Sequence, residues 1–131
     1  MKFSTKSSYG LRAMIQLARH YRGGSLSLGE ISRREKISLG YLEKIMASLK
    51  SAKLVDSAAG IKGGYMLTES PAKISIKEIF EALEGSVTPF ACAEAESFCT
   101  AKDCGARLVW QKLNQAIKKT LKQITLAEII K

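Results

Sequence analysis

The fold is decided by residues 27–68, which read SLGEISRREKISLGYLEKIMASLKSAKLVDSAAGIKGGYMLT. Ser27 followed three residues later by Glu30 has the spacing of a capping box, which predicts a short helix ending at a break over residues 36–38. Apolar residues then repeat at steps of three, one and three, typical of one face of a helix that ends near Ala52. These residues are Leu42, Ile45, Met46 and Leu49. Two short helices around a tight turn indicate a helix-turn-helix.

The same stretch ends in a predicted β-hairpin. Residues 54–57 and 65–68 have the composition of two short strands, and the segment between them contains Gly60, Gly63 and Gly64. Glycine adopts the positive φ angles that a hairpin turn needs. A hairpin directly after a helix-turn-helix is a wing, so the stretch as a whole predicts a winged helix-turn-helix.

Helical patterns extend outward on both sides of this stretch. Upstream, apolar residues recur at helical spacing over residues 7–21, and Gly23 and Gly24 end the helix. Downstream, Ser75 and Glu78 form a second capping box before a helix that Gly85 closes, and Thr125 with Glu128 form a third. The fold class is therefore mainly α with a small β-hairpin.

A long helix is predicted from about Gly105, with an apolar seam at steps of three, four, four and three. The seam consists of Trp110, Leu113, Ile117, Leu121 and Ile124. The same helix of a second subunit is the expected partner, which makes the chain a homodimer; packing onto the chain's own first helix is the alternative. We expect a DNA-binding region at residues 1–70, and a cysteine sensor loop with the dimerisation helix at residues 71–131.

Charge and composition point to a nucleic-acid partner. The net charge is +9, and residues 1–68 carry twelve Lys and Arg against four acids. A basic half of this kind suits a polyanion. Apolar runs are too short for a membrane span and no secretory leader is readable, which predicts a cytoplasmic protein without a membrane partner. With one histidine, His20, and no hydrolase motif, the chain is not expected to be an enzyme.

The predicted third helix supplies the candidate contacts to a double-stranded DNA operator, because its exposed face is small and polar and its length fits a major groove. The candidates on this helix are Ser38, Tyr41, Glu43 and Lys44. Glu43 either accepts from a cytosine amine or lies as a solvated flank. Expected backbone contacts elsewhere are Lys2, Lys6, Arg12 and, at the wing tip, Lys62, which could also enter a minor groove.

Three cysteines, Cys92, Cys99 and Cys104, form C-x6-C-x4-C in a segment without apolar periodicity. An odd number of clustered cysteines without export signals argues against a disulfide framework and favours metal, cluster or redox chemistry. Thiolates are soft ligands that suit iron–sulfur clusters or zinc. An iron–sulfur cluster is the preferred interpretation. Zinc, and free thiols that form a sulfenate or a disulfide, are the alternatives.

Together these segments resemble the Rrf family of bacterial winged-helix regulators, which are IscR/NsrR-like. The resemblance rests on residues 37–45, Leu54-Val55, Gly60-x-x-Gly63-Gly64-Tyr65-x-Leu67, residues 79–85, the three cysteines, Trp110 and residues 124–126. It implies a homodimer joined by the long C-terminal helices and DNA binding through the third helix and the wing. It also implies a 2Fe–2S cluster, or else a 4Fe–4S cluster, on the three cysteines.

The sequence departs from the family pattern at three positions. Arg107 stands where IscR-like members have a ligating histidine, Ser8 where NsrR-like members have an acidic ligand, and Ala59 where IscR-like members have a wing arginine. Arginine cannot ligate iron, so the fourth ligand stays open. The choices are Glu94, Glu96, Asp103, a water or a small thiol.

The function expected from these features is a transcription regulator whose operator affinity depends on an iron–sulfur cluster that senses redox, iron or nitric oxide status. A change at the cluster would alter the spacing of two recognition helices that must meet half-sites about one helical turn apart. The alternative is a cluster-free repressor of the same fold, controlled by thiol chemistry or by a partner protein. An electron-transfer protein would need no basic helix-turn-helix.

Overall fold

The computed structural model describes residues 4–58, 63–85 and 105–130. In chain order the elements are α1 (Thr5–Arg19), α2 (Leu28–Glu35), α3 (Leu39–Ser51), β1 (Val55–Ala58), β2 (Gly64–Leu67), a 3-10 turn (Pro71–Lys73), α4 (Ile76–Glu84), α5 (Gly105–Gln123) and α6 (Leu126–Ile129). The predicted fold class, mainly helical with one antiparallel hairpin, is confirmed. Of the helices in these ranges, none is long and apolar enough to cross a membrane.

One buried apolar cluster joins both ends of the described chain. Met14 of α1, Ile45 of α3, Ile79 of α4 and Leu126 of α6 are all 0% exposed and belong to this cluster. Full burial of such a side chain contributes about 1.5–3 kcal/mol relative to leaving it in water. The helix-turn-helix therefore depends on packing from α4 and α6, which follow the hairpin in the chain.

Helix α3 forms where its apolar repeat predicts. Ser38 is the N-cap, and its Oγ accepts a hydrogen bond from the Tyr41 amide at 3.3 Å. Such a bond satisfies one of the free amides of the first turn. The predicted apolar face is confirmed, because Leu42, Ile45, Met46 and Leu49 are all 0% exposed. The opposite face of α3 is consequently turned to solvent.

The three predicted capping boxes have different outcomes. The box of Ser75 and Glu78 is complete, with both reciprocal hydrogen bonds present. Ser27 caps α2, but the carboxylate of Glu30 turns to two arginines of the same helix, at 2.6 Å from Arg33 and 3.4 Å from Arg34. Thr125 makes no side-chain cap and instead pairs with Ser75 in an isolated β-bridge. Ion pairing therefore replaced the Glu30 half of one expected box, and strand pairing replaced the expected Thr125 cap.

A third backbone segment, at Leu26, pairs with the base of the wing hairpin. β1 and β2 pair antiparallel with Val55 opposite Leu67, and Tyr65 of β2 also exchanges two backbone hydrogen bonds of 2.9 Å with Leu26. Gly64 lies at this junction with φ +149, and an added Cβ would lie 2.7 Å from the Leu26 carbonyl oxygen. Only glycine fits there without a backbone shift.

Helix α5 packs against α4, and the two ends of the predicted apolar seam lie in different surroundings. Its C-terminal members Leu121 and Ile124 pack on the chain's own core. Leu113 is 44% exposed, and its neighbours Leu108 and Val109 are 55% and 53% exposed. The exposed apolar surface of α5 therefore lies in its N-terminal half.

The end of α5 is anchored by backbone hydrogen bonds. The Ile76 amide donates to the Ile124 carbonyl at 2.9 Å, and the Leu126 amide donates to the Ile74 carbonyl at 3.0 Å. These bonds flank the bridge between Ser75 and Thr125. The start of α4 and the end of α5 therefore form one joint.

Gly64→Ala is expected to lower the free energy of unfolding by about 2–4 kcal/mol, because the backbone at the wing root must move to admit a Cβ. Gly24→Ala is the matched control: Gly24 also has positive φ, +87, but an added Cβ would meet none of the described residues within 4 Å. It should lower the free energy of unfolding by only about 1 kcal/mol. Urea unfolding of both variants tests this, and equal losses would contradict the role assigned to the Leu26 contact.

Candidate DNA interface and sensor segment

The first turns of α3 bring four of the predicted DNA-contact residues together. Ser38, Glu43 and Lys44 are exposed, and Tyr41 is partly buried. Free amides at a helix N-terminus favour nearby anions such as phosphate. Lys6, in the first turn of α1, is partly buried. Two further predicted contacts, Lys2 and Lys62, lie outside the described residues.

Two of these candidates already have partners within the chain. The Ser38 hydroxyl accepts the Tyr41 amide, although its own hydrogen can still be donated outward. The Tyr41 ring packs edge-on against Tyr9 of α1, with 5.6 Å between ring centroids and an interplanar angle of 82°. This is a favourable aromatic geometry. Tyr41 therefore ties α3 to α1 as well as lying near the candidate DNA face.

Arg12 performs an internal role that sequence reasoning missed. Its Nε donates to the Glu35 carboxylate at 2.9 Å and its Nη2 donates to the Glu35 backbone carbonyl. Its guanidinium also lies 5.4 Å from the centroid of the Tyr9 ring. The expected contact of Arg12 with the DNA backbone stays a prediction, and its side chain is 40% exposed beside these internal contacts. A string of contacts from Glu35 through Arg12 and Tyr9 to Tyr41 joins the end of α2 to the start of α3.

This network keeps Glu35 ionised. Partial burial opposes the charged form, but hydrogen bonds from Arg12 and Gln16, with the charges of Arg12 and Arg19, outweigh it and hold the pKa of Glu35 below its ordinary 4.5. A carboxyl whose pKa is lower in the folded state stabilises the fold above its unfolded pKa. That stabilisation is lost as the pH falls through the folded pKa.

A second carboxylate links the end of α4 to α1. Glu84, the last residue of α4, accepts a hydrogen bond from the hydroxyl of Ser4, the N-cap of α1. That hydrogen bond is the main reason why the pKa of Glu84 is lowered, and burial opposes it. Glu84 precedes Gly85, after which the chain enters the cysteine segment. The root of this segment is thus attached to the helix that carries Tyr9 and Arg12.

The candidate sensor residues Cys92, Cys99 and Cys104 lie outside the described residues. Within the described ranges no group of three or more His, Cys, Asp or Glu side chains could hold a metal ion. Arg107, which the resemblance places at the ligating histidine of IscR-like members, is partly buried in the first turn of α5. Ser8, which the resemblance places at the acidic ligand of NsrR-like members, is exposed on α1.

A recognition-type helix with an outward polar face, followed by a short hairpin anchored at its root, defines a winged-helix DNA-binding protein. Comparison with known proteins supports the assignment to this class. The model of the Rrf2 family, described as "Iron-dependent Transcriptional regulator", matches residues 3–131, and the chain belongs to that family.

Relatives of established structure or name extend over nearly the whole chain. The structure of CymR, the global cysteine regulator of B. subtilis, is similar with a TM-score of 0.86 and 34% identity, covering 99% of this chain and 96% of that one. T. potens IscR is similar with a TM-score of 0.82 and 36% identity, covering 99% and 86%. The HTH-type transcriptional regulator IscR of Yersinia pseudotuberculosis is 33% identical over 130 residues, covering 99% and 79%. The chain is a DNA-binding transcription regulator and not an enzyme.

Arg12→Gln is expected to lower the free energy of unfolding at pH 7 by about 1 kcal/mol, a value reduced because solvent screens the partly exposed guanidinium. The loss should be smaller at an acidic pH below the folded pKa of Glu35, where the carboxylate is protonated in the wild type. Arg33→Gln is the control, since its ion pair with Glu30 is 72% exposed on the arginine side. Urea unfolding at both pH values gives the comparison, and an Arg12→Gln loss independent of pH would argue against the Glu35 contact.

Proposed function

We propose that this regulator reads a double-stranded DNA operator as a homodimer, with α3 in the major groove and the wing beside it. The single observation that carries this proposal is the orientation of α3, whose four buried apolar residues leave Ser38, Glu43 and Lys44 exposed on its first turns. Residues 1–70 then form the DNA-binding region, and residues 71–131 the sensor segment and dimerisation helix. A cytoplasmic location follows from contact with the operator.

The proposed contacts fall into two classes. Lys44 and Glu43 face the base edges, where a lysine can donate to guanine and a carboxylate can accept from a cytosine amine. Ser38, Lys6, Lys2 and Lys62 contact phosphates and fix the position of the protein on the duplex. Tyr41 positions the start of α3 through its packing against Tyr9.

The exposed half of α5 supports the homodimer. Leu108, Val109 and Leu113 expose about half of their surface on a long helix that leaves the core toward its N-terminal end. The small residues Ala106 and Ala116 are exposed on the same helix. With Val109 and Leu113 they recur at steps of three, four and three, a coiled-coil spacing. A second copy of α5 would cover these side chains in a two-fold contact.

An iron–sulfur cluster on Cys92, Cys99 and Cys104 is the proposed sensor, with 2Fe–2S preferred to 4Fe–4S. Three thiolates suit such a cluster, and the similarity to IscR and the iron-dependent family description support it. When bound, the cluster supplies a centre that responds to oxidation, iron supply or nitric oxide. The chain's own part is to transmit that state through Glu84 to α1, and through Gly105 to α5. The fourth ligand is Glu94, Glu96, Asp103, a water or a small thiol.

Cluster-free thiol sensing is the second candidate, and the similarity to CymR favours it. In this mechanism two cysteine thiols give up two electrons and two protons to an oxidant such as peroxide and form a disulfide. The same segment between Gly85 and Gly105 would change shape, and the same contacts would carry the change. The two candidates share the DNA interface and differ only in the sensor.

Lys44→Glu is expected to weaken operator binding at least ten-fold and to reduce the magnitude of the salt dependence, because a phosphate- or base-facing cation becomes an anion. Lys119→Glu, an equal charge change at an exposed position of α5, serves as the control and should leave operator affinity within two- or three-fold. Fluorescence anisotropy on the operator duplex at several salt concentrations measures both. Equal effects of the two changes would contradict α3 as the reading helix.

Cysteine replacement separates the two sensor chemistries. Protein purified without oxygen is expected to absorb visible light and to contain iron and sulfide. Each single change of Cys92, Cys99 or Cys104 to Ala should remove the chromophore while the unfolding temperature of the DNA-binding region is kept. Operator affinity should differ between the cluster-loaded and cluster-free forms. A colourless, iron-free protein whose affinity responds to peroxide would establish the thiol alternative, and equal affinity in every state would refute sensing by this segment.

A further inference from the structure

The tripeptide Ser-Leu-Gly begins both helices of the helix-turn-helix, at residues 27–29 and 38–40. In each copy the serine is the N-cap, and its hydroxyl accepts the amide three residues on, at 3.1 Å in α2 and 3.3 Å in α3. The leucine is the first helical residue and the glycine the second. The two helices start with the same tripeptide and the same serine cap. A difference in how the two copies pack is therefore not explained by the requirements of starting a helix.

The two leucines differ in their packing. Leu28 is partly buried and packs against the apolar core, whereas Leu39 is 47% exposed and belongs neither to the core nor to the side chains packed on it among the residues described. A single exposed leucine is ordinary on a protein surface. Leu39, however, lies one helical turn before Glu43 at the start of the candidate reading helix. The fold therefore gives no reason for a large apolar side chain there.

Gly40 is equally unexplained by the fold. Its backbone is helical, with no positive φ, and an added Cβ would meet nothing within 4 Å among the described residues. Alanine is more stable than glycine in a helix by up to about 1 kcal/mol. A chain selected only for its fold would gain from alanine at this position. The missing Cβ is instead suited to the close approach of another molecule.

A major groove supplies a surface that fits both features. Thymine carries a 5-methyl group there, which apolar side chains contact, and backbone without a Cβ can come close to base edges. Leu39 and Gly40 lie one turn before Glu43 and Lys44, so the four residues reach the groove side by side when α3 enters by its N-terminus. We infer that Leu39 and Gly40 determine operator specificity, with Leu39 covering the 5-methyl group of a thymine in each half-site. This inference rests on the proposed docking of α3.

The first test removes the methyl group from the DNA. The probe is the duplex that wild-type protein selects from a randomised pool, remade with single thymines replaced by deoxyuridine, which keeps the base-pair hydrogen bonds. At one thymine of each half-site the replacement should weaken wild-type binding about four-fold, the value for one buried methyl group. The Leu39→Ala variant should bind the two duplexes equally. A replacement that has no effect at any thymine, or the same effect in Leu39→Ala, overturns the role of Leu39.

The second test uses the repeated tripeptide as its own control. Gly40→Ala should raise the unfolding temperature and yet weaken operator binding about ten-fold, because the new methyl group must be accommodated against the bases. Gly29→Ala should raise the unfolding temperature by a similar amount and leave binding unchanged. The opposite signs of stability and affinity in Gly40→Ala are not produced by a merely structural role. Equal binding losses in both variants, or no loss in Gly40→Ala, overturn the role of Gly40.

Failure of this inference can be told apart from failure of the docking on which it rests. If Lys44→Glu weakens operator binding while the deoxyuridine and Gly40→Ala changes do not, α3 reads the operator without these two residues. If Lys44→Glu, Gly40→Ala and the deoxyuridine replacements all leave binding unchanged, α3 is not the reading helix, and both proposals fall together.

Discussion

The burial of one face of α3 is the constraint on which the remaining structure depends. Leu42, Ile45, Met46 and Leu49 are fully enclosed, and α1 and α4 both pack against this helix. A rotation of α3 about its axis would bring apolar groups into water at a cost of about 1.5–3 kcal/mol for each side chain exposed. The polar face is therefore held outward by the core, and the residues on it need no partner in the protein to fix their direction.

Polar and aromatic contacts add to the orientation that the apolar core imposes on α3. Arg12 joins the end of α2 to Tyr9, and Tyr9 packs on Tyr41, so the angle between the two helices of the motif is fixed from α1. The N-cap of the same helix α1 binds Glu84 at the root of the cysteine segment. One helix therefore contacts both the start of α3 and the end of α4.

Local sequence patterns predicted the elements well because their causes are local. The α3 repeat, the two hairpin strands and the Ser75 cap each depend on residues close together in the sequence, and the structure confirms them. What the patterns did not predict involves distant partners: the spacing of Arg12 gives no sign of Glu35, and α5 was given one continuous seam although Leu121 packs on the chain's own core. The cysteines, Lys2 and Lys62 stay predictions, since they lie outside the described residues.

The joint between residues 74–76 and 124–126 makes α5 a lever. The fulcrum is the C-terminal end of α5, which backbone hydrogen bonds hold to the start of α4. The 19 residues of α5 extend about 28 Å at the ordinary helical rise. At that length a rotation of about 5° at the fulcrum moves the far end by roughly 2 Å. The far end is Gly105, where the cysteine segment joins the helix. In the proposed sensing mechanism, a displacement of Gly105 changes the angle of α5 at its joint with α4.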